Sequence, residues 1–201
     1  MPRSIRYAAD MNRALTIPHT LHERLVRGRV AYDLLFILAG SALIAIAAQI
    51  AIPVSFSPVP LTMQPLAVLL VGVVLGSKRG AAAATLYLLE GASGLPVFSL
   101  GRGGVWLVGP TAGYLLSYPF AAFVAGWFSE RGWGGNVARA IAGMLVALGV
   151  IYLGGWSWLS VLTDARTAFA TGVAPFIIPD VVKIALGAAM LPFAQRLIAR
   201  E

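Results

Sequence analysis

From residue 33 onward the chain is a succession of apolar runs separated by short polar or glycine- and proline-rich stretches. A helix needs about 20 mainly apolar residues to cross a hydrocarbon core roughly 30 Å thick. Candidate runs lie at about 33–52, 62–76, 80–95, 110–128, 137–155 and 175–196. The second and third are short, and only GSKRG separates them, which predicts a tight interfacial hairpin. Pro60 and Pro65 bracket the second run, where a missing amide and a ring clash disturb helical bonding. An irregular entry of that kind is tolerated in a membrane only where protein or a cavity covers the backbone.

The distribution of basic residues orients these runs. With the N-terminus cytoplasmic, the inner segments hold Arg3, Arg6, Arg13, Arg24, Arg27 and Arg29, then Lys78 and Arg79, then Arg131 and Arg139, then Arg196 and Arg200. Only Arg102 and Arg166 fall in outer loops, and Lys183 lies within the last run. The positive-inside rule therefore predicts an all-α, multi-pass membrane protein: a six-transmembrane-helix bundle over residues 33–201 with both termini cytoplasmic. Residues 1–32 lack the continuous apolar core and cleavage site of a secretory signal and read as a cytoplasmic arm. That arm fits an interfacial helix with Leu21, Leu25 and Val26 toward lipid, and it fits a disordered tail equally well.

Composition agrees and narrows the chemistry. The chain of 201 residues is 59% hydrophobic and 11% charged with a mean hydropathy of +0.83, against roughly 25% charged residues in soluble domains. There is no cysteine, so disulfides, thiolate chemistry and sulfur-based metal sites are excluded. The two histidines, His19 and His22, both lie in the arm, which leaves no histidine for catalysis or metal binding in the spans. The formal net charge of +7 follows from membrane orientation and not from a basic nucleic-acid face. No G-x-x-x-x-G-K-[ST] phosphate loop occurs, so the chain does not hydrolyse ATP by that route.

The expected outer segments are unusual for loops bathed in water, which are normally polar. AIPVSFSPVPLT (51–62), LPVFSLGRGGVWLVG (95–109) and GWSWLSVLTDARTAFATGVA (155–174) are long, apolar and rich in Gly, Pro and aromatics. They read as segments folded over a pocket, with Trp106, Trp156 and Trp158 also fitting an interfacial aromatic belt.

Within the last run, Asp180 and Lys183 are three residues apart, so a helix brings them onto one face. Each ionisable group at membrane depth costs about 2.5 to 3.5 kcal/mol on insertion scales and usually faces a bundle interior or polar cavity. A binding role and a purely structural ion pair both fit this pattern. Glu90, within the third run, is a further buried charge that could serve a ligand or a neighbouring helix. Small residues four apart, Ser41 and Ala45 in the first run and Ala121, Ala125, Ala122 and Gly126 in the fourth, allow close helix approach. They fit internal packing, and the first run also fits docking of an outside protein.

Three stretches taken together are specific. PVPLTMQPLAVLLVGVVLGSKRGAAAATLYLLEGASGLPVF, then GGVWLVGPTAGYLLSYP, then PDVVKIALG resemble, in this order and spacing, the BioY family. Its members are substrate-binding S components of energy-coupling-factor vitamin transporters, specific for biotin. The resemblance runs from about residue 33 to 195 and implies a six-helix bundle in the bacterial cytoplasmic membrane. It places biotin near the extracellular face, with one transmembrane coupling protein and two ATPase subunits as partners and ATP used only by the latter. A carboxylate suits the two N–H donors of the ureido group, a cation suits the valerate, and apolar walls suit the bicycle. The resemblance assigns Asp180 and Lys183 to the ligand. It adds Gln64 in TMQ, Tyr87 in YLLEG, Phe98 in PVF and Tyr114 in GPTAGY as further candidates, with Arg102 a second possible partner for the valerate. It also implies docking of the partner module on the Ser41 and Ala45 face. Glu90 stands where the family pattern leads one to expect a small residue, and Pro179 where a glycine is expected before the acid, which leaves the start of the last helix open.

Other function classes fit less well. An intramembrane enzyme using Glu90 or Asp180 has no activated Ser or Cys arrangement and no acidic pair at metal-ligand spacing. A proton-coupled secondary carrier would show an internal repeat with paired broken helices, and none is visible.

Overall fold

Each predicted apolar run contains a helix. The computed structural model describes residues 29–198; the predicted interfacial helix at Leu21, Leu25 and Val26, and both histidines, lie outside the described residues. The order is α1 (Arg29–Gln49), β1 (Ala51–Ile52), β2 (Leu61–Thr62), α2 (Gln64–Leu75), α3 (Ser77–Ala92), α4 (Ala112–Glu130), α5 (Val137–Leu162), α6 (Ala165–Gly172) and α7 (Ala174–Ile198). Short 3₁₀ turns at Ser99–Gly101 and Gly104–Leu107 lie between α3 and α4.

Among the described residues, three helical stretches are long and apolar enough to cross a bilayer: Val30–Gln49, Val137–Leu162 and Ala165–Leu191. With 12 residues, α2 rises about 18 Å at 1.5 Å per residue and does not cross a full hydrocarbon core. Before it, β1 and β2 pair antiparallel, Ala51 opposite Thr62 and Ile52 opposite Leu61. Backbone polar groups that a helix would satisfy internally are satisfied here by the ladder. Pro65 causes no disturbance, because it lies in the first turn of α2, where no intrahelical amide is required.

The hairpin at GSKRG is tighter than the sequence implies. Only Gly76 separates α2 from α3, at φ 84° and ψ 174°, a left-handed φ that a residue with Cβ adopts only with strain. The first turn of α3 is capped from the end of α4: Glu130 accepts hydrogen bonds from the Ser77 amide at 2.7 Å and the Ser77 hydroxyl at 2.9 Å. The small residues of α4 make this elbow possible, since a Cβ on Gly126 would collide with the backbone of Gly76 and Ser77. Ala121, Ala122 and Ala125 are buried in the same interface, so this stripe serves internal packing.

One expectation is corrected, and one open point is decided. The segment 155–174 is not a loop: α5 continues to Leu162 and α6 follows at Ala165. Serine and threonine here return their hydroxyls to the helix, Ser160 to Trp156 O at 2.6 Å and Thr163 to Leu159 O at 2.8 Å, which removes the need for water. Asp164 then caps α6, accepting from the amides of Arg166 and Thr167 at 3.0 Å each. The start of the last helix, which the sequence left open, is at Ala174, so Pro179 is inside it and withholds an amide from the carbonyl of Pro175.

The outer surface is apolar, as lipid requires. Leu34, Leu38 and Ile46 on α1, Leu116 and Phe120 on α4, and Leu186 and Met190 on α7 are all exposed. The buried core instead gathers Ile44, Leu69, Tyr87, Met144 and Ile151, together with Phe98 from the segment after α3.

Candidate binding site

A cavity opens between the β-ribbon, the segment after α3, and helices α4, α5 and α7. Its walls carry Gln64, Phe98, Tyr114, Tyr118, Tyr152 and Asp180 among others, with about 550 Å³ of space between atoms, the open mouth included.

Asp180 is its anchor. The residue is 4% exposed, and its two oxygens are held separately. Oδ1 accepts from Lys183 Nζ at 2.8 Å, and Oδ2 accepts from Tyr152 Oη at 2.9 Å. A carboxylate has about four acceptor positions, so two donors from a ligand can still be taken. Lys183 also donates to Thr62 O at 2.7 Å, tying α7 to the ribbon. Its position differs from a direct ligand contact: it lies behind Asp180 and borders a separate apolar groove with Leu66, Leu70 and Leu186. The i,i+3 spacing correctly pairs the two residues, but only the acid faces the cavity.

Gln64, Tyr87, Ser99 and Phe98 form one connected unit. Gln64 donates from Nε2 to Tyr87 Oη at 2.6 Å and accepts the Ser99 hydroxyl at 2.8 Å. Tyr87 donates to Val97 O at 3.2 Å, and its ring meets Phe98 edge-to-face at 5.3 Å. The Phe98 ring occupies space that any side chain at Gly91 would take. A broken helix entry and the segment above it are therefore joined by one buried amide, whose donor and acceptor ends are both used. Tyr114 lies on the opposite wall and donates to Gly172 O at 2.7 Å, holding α6 against α4.

Of the residues singled out by sequence, Gln64, Phe98, Tyr114 and Asp180 share the cavity, while Tyr87 backs Gln64. Arg102 is exposed and does not border the cavity; its backbone pairs with Phe98. Ser41 is buried, and its hydroxyl donates to Glu90 at 2.6 Å, while Ala45 is half-buried. Glu90 thus serves a neighbouring helix. Trp156 donates to Ala165 O and Trp158 to Gly109 O, each at 2.9 Å, so α5 is tied to the start of α6 and to the turn before α4.

Sequence reasoning missed Tyr152, Tyr118, Thr111 and Gln49. Gln49 closes α1 onto the segment after α3, donating to Val97 O and Phe98 O at 3.3 and 3.2 Å and accepting from the Gly101 amide at 3.1 Å. One signal was available: Tyr114 and Tyr118 are four apart and share a helix face, and phenol groups within an apolar span need polar surroundings.

What the cavity can do follows from this geometry. It offers one carboxylate with spare acceptor capacity, phenol and amide groups beside it, and apolar walls from Leu115, Ile151 and Phe176. That suits a small, largely apolar molecule carrying adjacent N–H donors.

Known proteins place the chain. It is 44% identical over 145 residues to a probable biotin transporter BioY of Pyrococcus horikoshii, covering 72% of this chain and 84% of that one. It is 41% identical over 150 residues to the biotin transporter BioY of Thermotoga maritima, covering 74% and 86%. A solved structure, the S-component for biotin from an ECF-type ABC transporter, superposes with a TM-score of 0.73 at 26% identity, covering 83% of this chain and 90% of that one. The sequence profile of the BioY family matches residues 15–200, and the chain belongs to that family.

Proposed function

We propose that this protein is the biotin-binding S component of an energy-coupling-factor transporter in the cytoplasmic membrane. The observation that carries the reading is Asp180: a buried carboxylate, fixed by Tyr152 and Lys183, that turns its remaining acceptor capacity into an apolar cavity. The ureido group supplies two N–H donors to that carboxylate, and the bicycle lies against Ile151, Leu115 and Phe98. Gln64, Tyr87 and Tyr114 hold the walls, and Lys183 holds Asp180. Six helices, α1 to α5 and α7, build the membrane bundle with both termini inside, α2 reaching only part of the way across, so the cavity faces outward; the positive-inside distribution supports this orientation. Transport requires a coupling protein and two ATPase subunits, because the chain has no phosphate loop of its own. Ala45 and the exposed stripe of α1 offer them a surface in the membrane, with Ser41 turned inward. The relatives are transport components, which sets aside the enzyme reading of Glu90 and Asp180.

Titration calorimetry of biotin into the detergent-purified protein tests the proposal. Stoichiometric binding that Asp180→Asn and Tyr152→Phe both weaken is expected. Folded wild-type protein that takes up no biotin would overturn it.

A further inference from the structure

A ligand with a carboxylate must place that charge somewhere, and among the described residues no cation borders the cavity. Lys183 lies behind Asp180 and faces the other groove, and Arg102 is outside the lining. Among the described residues the only charge on the wall is Asp180 itself, which repels a second carboxylate. An anionic group must therefore point away from Asp180.

The cavity wall also holds a polar group with no hydrogen-bond partner among the described residues. Thr111 is 6% exposed and borders the cavity, and its Oγ1 is the only buried side-chain polar atom without a hydrogen-bond partner among the described residues. A buried hydroxyl left unpaired costs about 1 to 3 kcal/mol, so its retention in the wall calls for a reason. Thr111 is also the residue before the 19-residue α4, and it does not cap that helix with its side chain. The amides of Gly113 and Tyr114 in the first turn have no backbone acceptor among the described residues. Unpaired amides and the positive end of the helix dipole favour an anion at this point.

We infer that the carboxylate of the ligand is received at the N-terminus of α4 by the Thr111 hydroxyl and first-turn amides, and not by a lysine or arginine. This rests on the proposed biotin reading. Thr111 Oγ1 donates to the carboxylate, and the helix end supplies the positive field.

The test compares biotin with biotin methyl ester, which keeps the ureido group and loses the charge. Wild type, Thr111→Val and Thr111→Ser are titrated with each, with thermal unfolding in detergent as a folding control. Thr111→Val should weaken biotin on the order of tenfold to a hundredfold, the worth of a hydrogen bond to a charged group. It should weaken the ester by only about threefold to tenfold, since a bond to a neutral acceptor is about half as strong. Thr111→Ser should restore biotin binding. An equal loss for both ligands, or no loss for either, in a folded variant overturns the inference while leaving the biotin reading intact. Wild type that binds neither ligand sinks the biotin reading and the inference with it.

Discussion

Removing the Lys183 ammonium should destabilise the bundle more than removing both charges of its pair. Nζ lies 2.8 Å from Asp180 Oδ1 and 2.7 Å from Thr62 O, and the lysine and aspartate side chains are 15% and 6% exposed. Lys183→Met keeps the apolar stem and strands the carboxylate with Tyr152 as its remaining donor. Breaking a buried pair from one side costs about 3 to 5 kcal/mol, and the residual exposure of the lysine puts the value near 3 kcal/mol. In Asp180→Asn/Lys183→Met no charge is left uncompensated. Only the Thr62 carbonyl loses its donor, at about 1 kcal/mol. The double variant should therefore sit about 2 kcal/mol above Lys183→Met, a coupling that two independent sites do not show. Unfolding in mixed micelles with rising SDS, followed by tryptophan fluorescence, measures all the variants on one scale. If Lys183→Met lies within about 0.5 kcal/mol of wild type, or the single effects simply add, the pair is not the closed unit described here.

Three further outcomes follow from the geometry. Gly126→Val should destabilise the protein by about 2 kcal/mol or more, because the α2–α3 elbow cannot yield to a new side chain; the same SDS titration checks it. Gln49→Ala removes three hydrogen bonds to residues 97, 98 and 101, so amide exchange over residues 97–101 should quicken and biotin should dissociate faster, while α4 exchange stays unchanged. The α6 cap should fail in acid. Hydrogen bonds from Thr167, first its side chain and then its amide, hold the Asp164 carboxyl below its ordinary 3.8. A lowered pKa means the stabilisation is complete above the unfolded value and is lost as pH falls through the folded one. Exchange of α6 amides should rise in that acid window in wild type and be insensitive to it in Asp164→Asn.

Much of the fold was legible because lipid makes helix formation local. A backbone in hydrocarbon must satisfy its own amides and carbonyls, so a long apolar run without polar relief becomes a helix whatever its neighbours do. The extension of α5 through GWSWLSVL escaped notice because glycine, serine and tryptophan imitate loop composition. Their hydroxyls and indoles find partners only once the helix exists and α6 and the turn before α4 have docked. Asp180 and Lys183 were found together because three residues on a helix set their proximity without any tertiary contact.

The site was less legible, since a cavity wall depends on how each helix is rotated and on what lies across it. Gln64 bonds Tyr87 and Ser99, distant by 23 and 35 residues, and Tyr152 reaches Asp180 across 28. By itself, then, the sequence determined the apolar helices, the asymmetry of charge along the chain, and the pairing of the acid and lysine, all consequences of local geometry and the cost of charge in lipid. Only the tertiary structure decided that Asp180 faces the cavity while Lys183 turns from it, that Ser41 spends its hydroxyl on Glu90, and that Thr111 finds no hydrogen-bond partner among the described residues. Those facts are set by long-range packing, in which the rotation of one helix is fixed by the side chains of another.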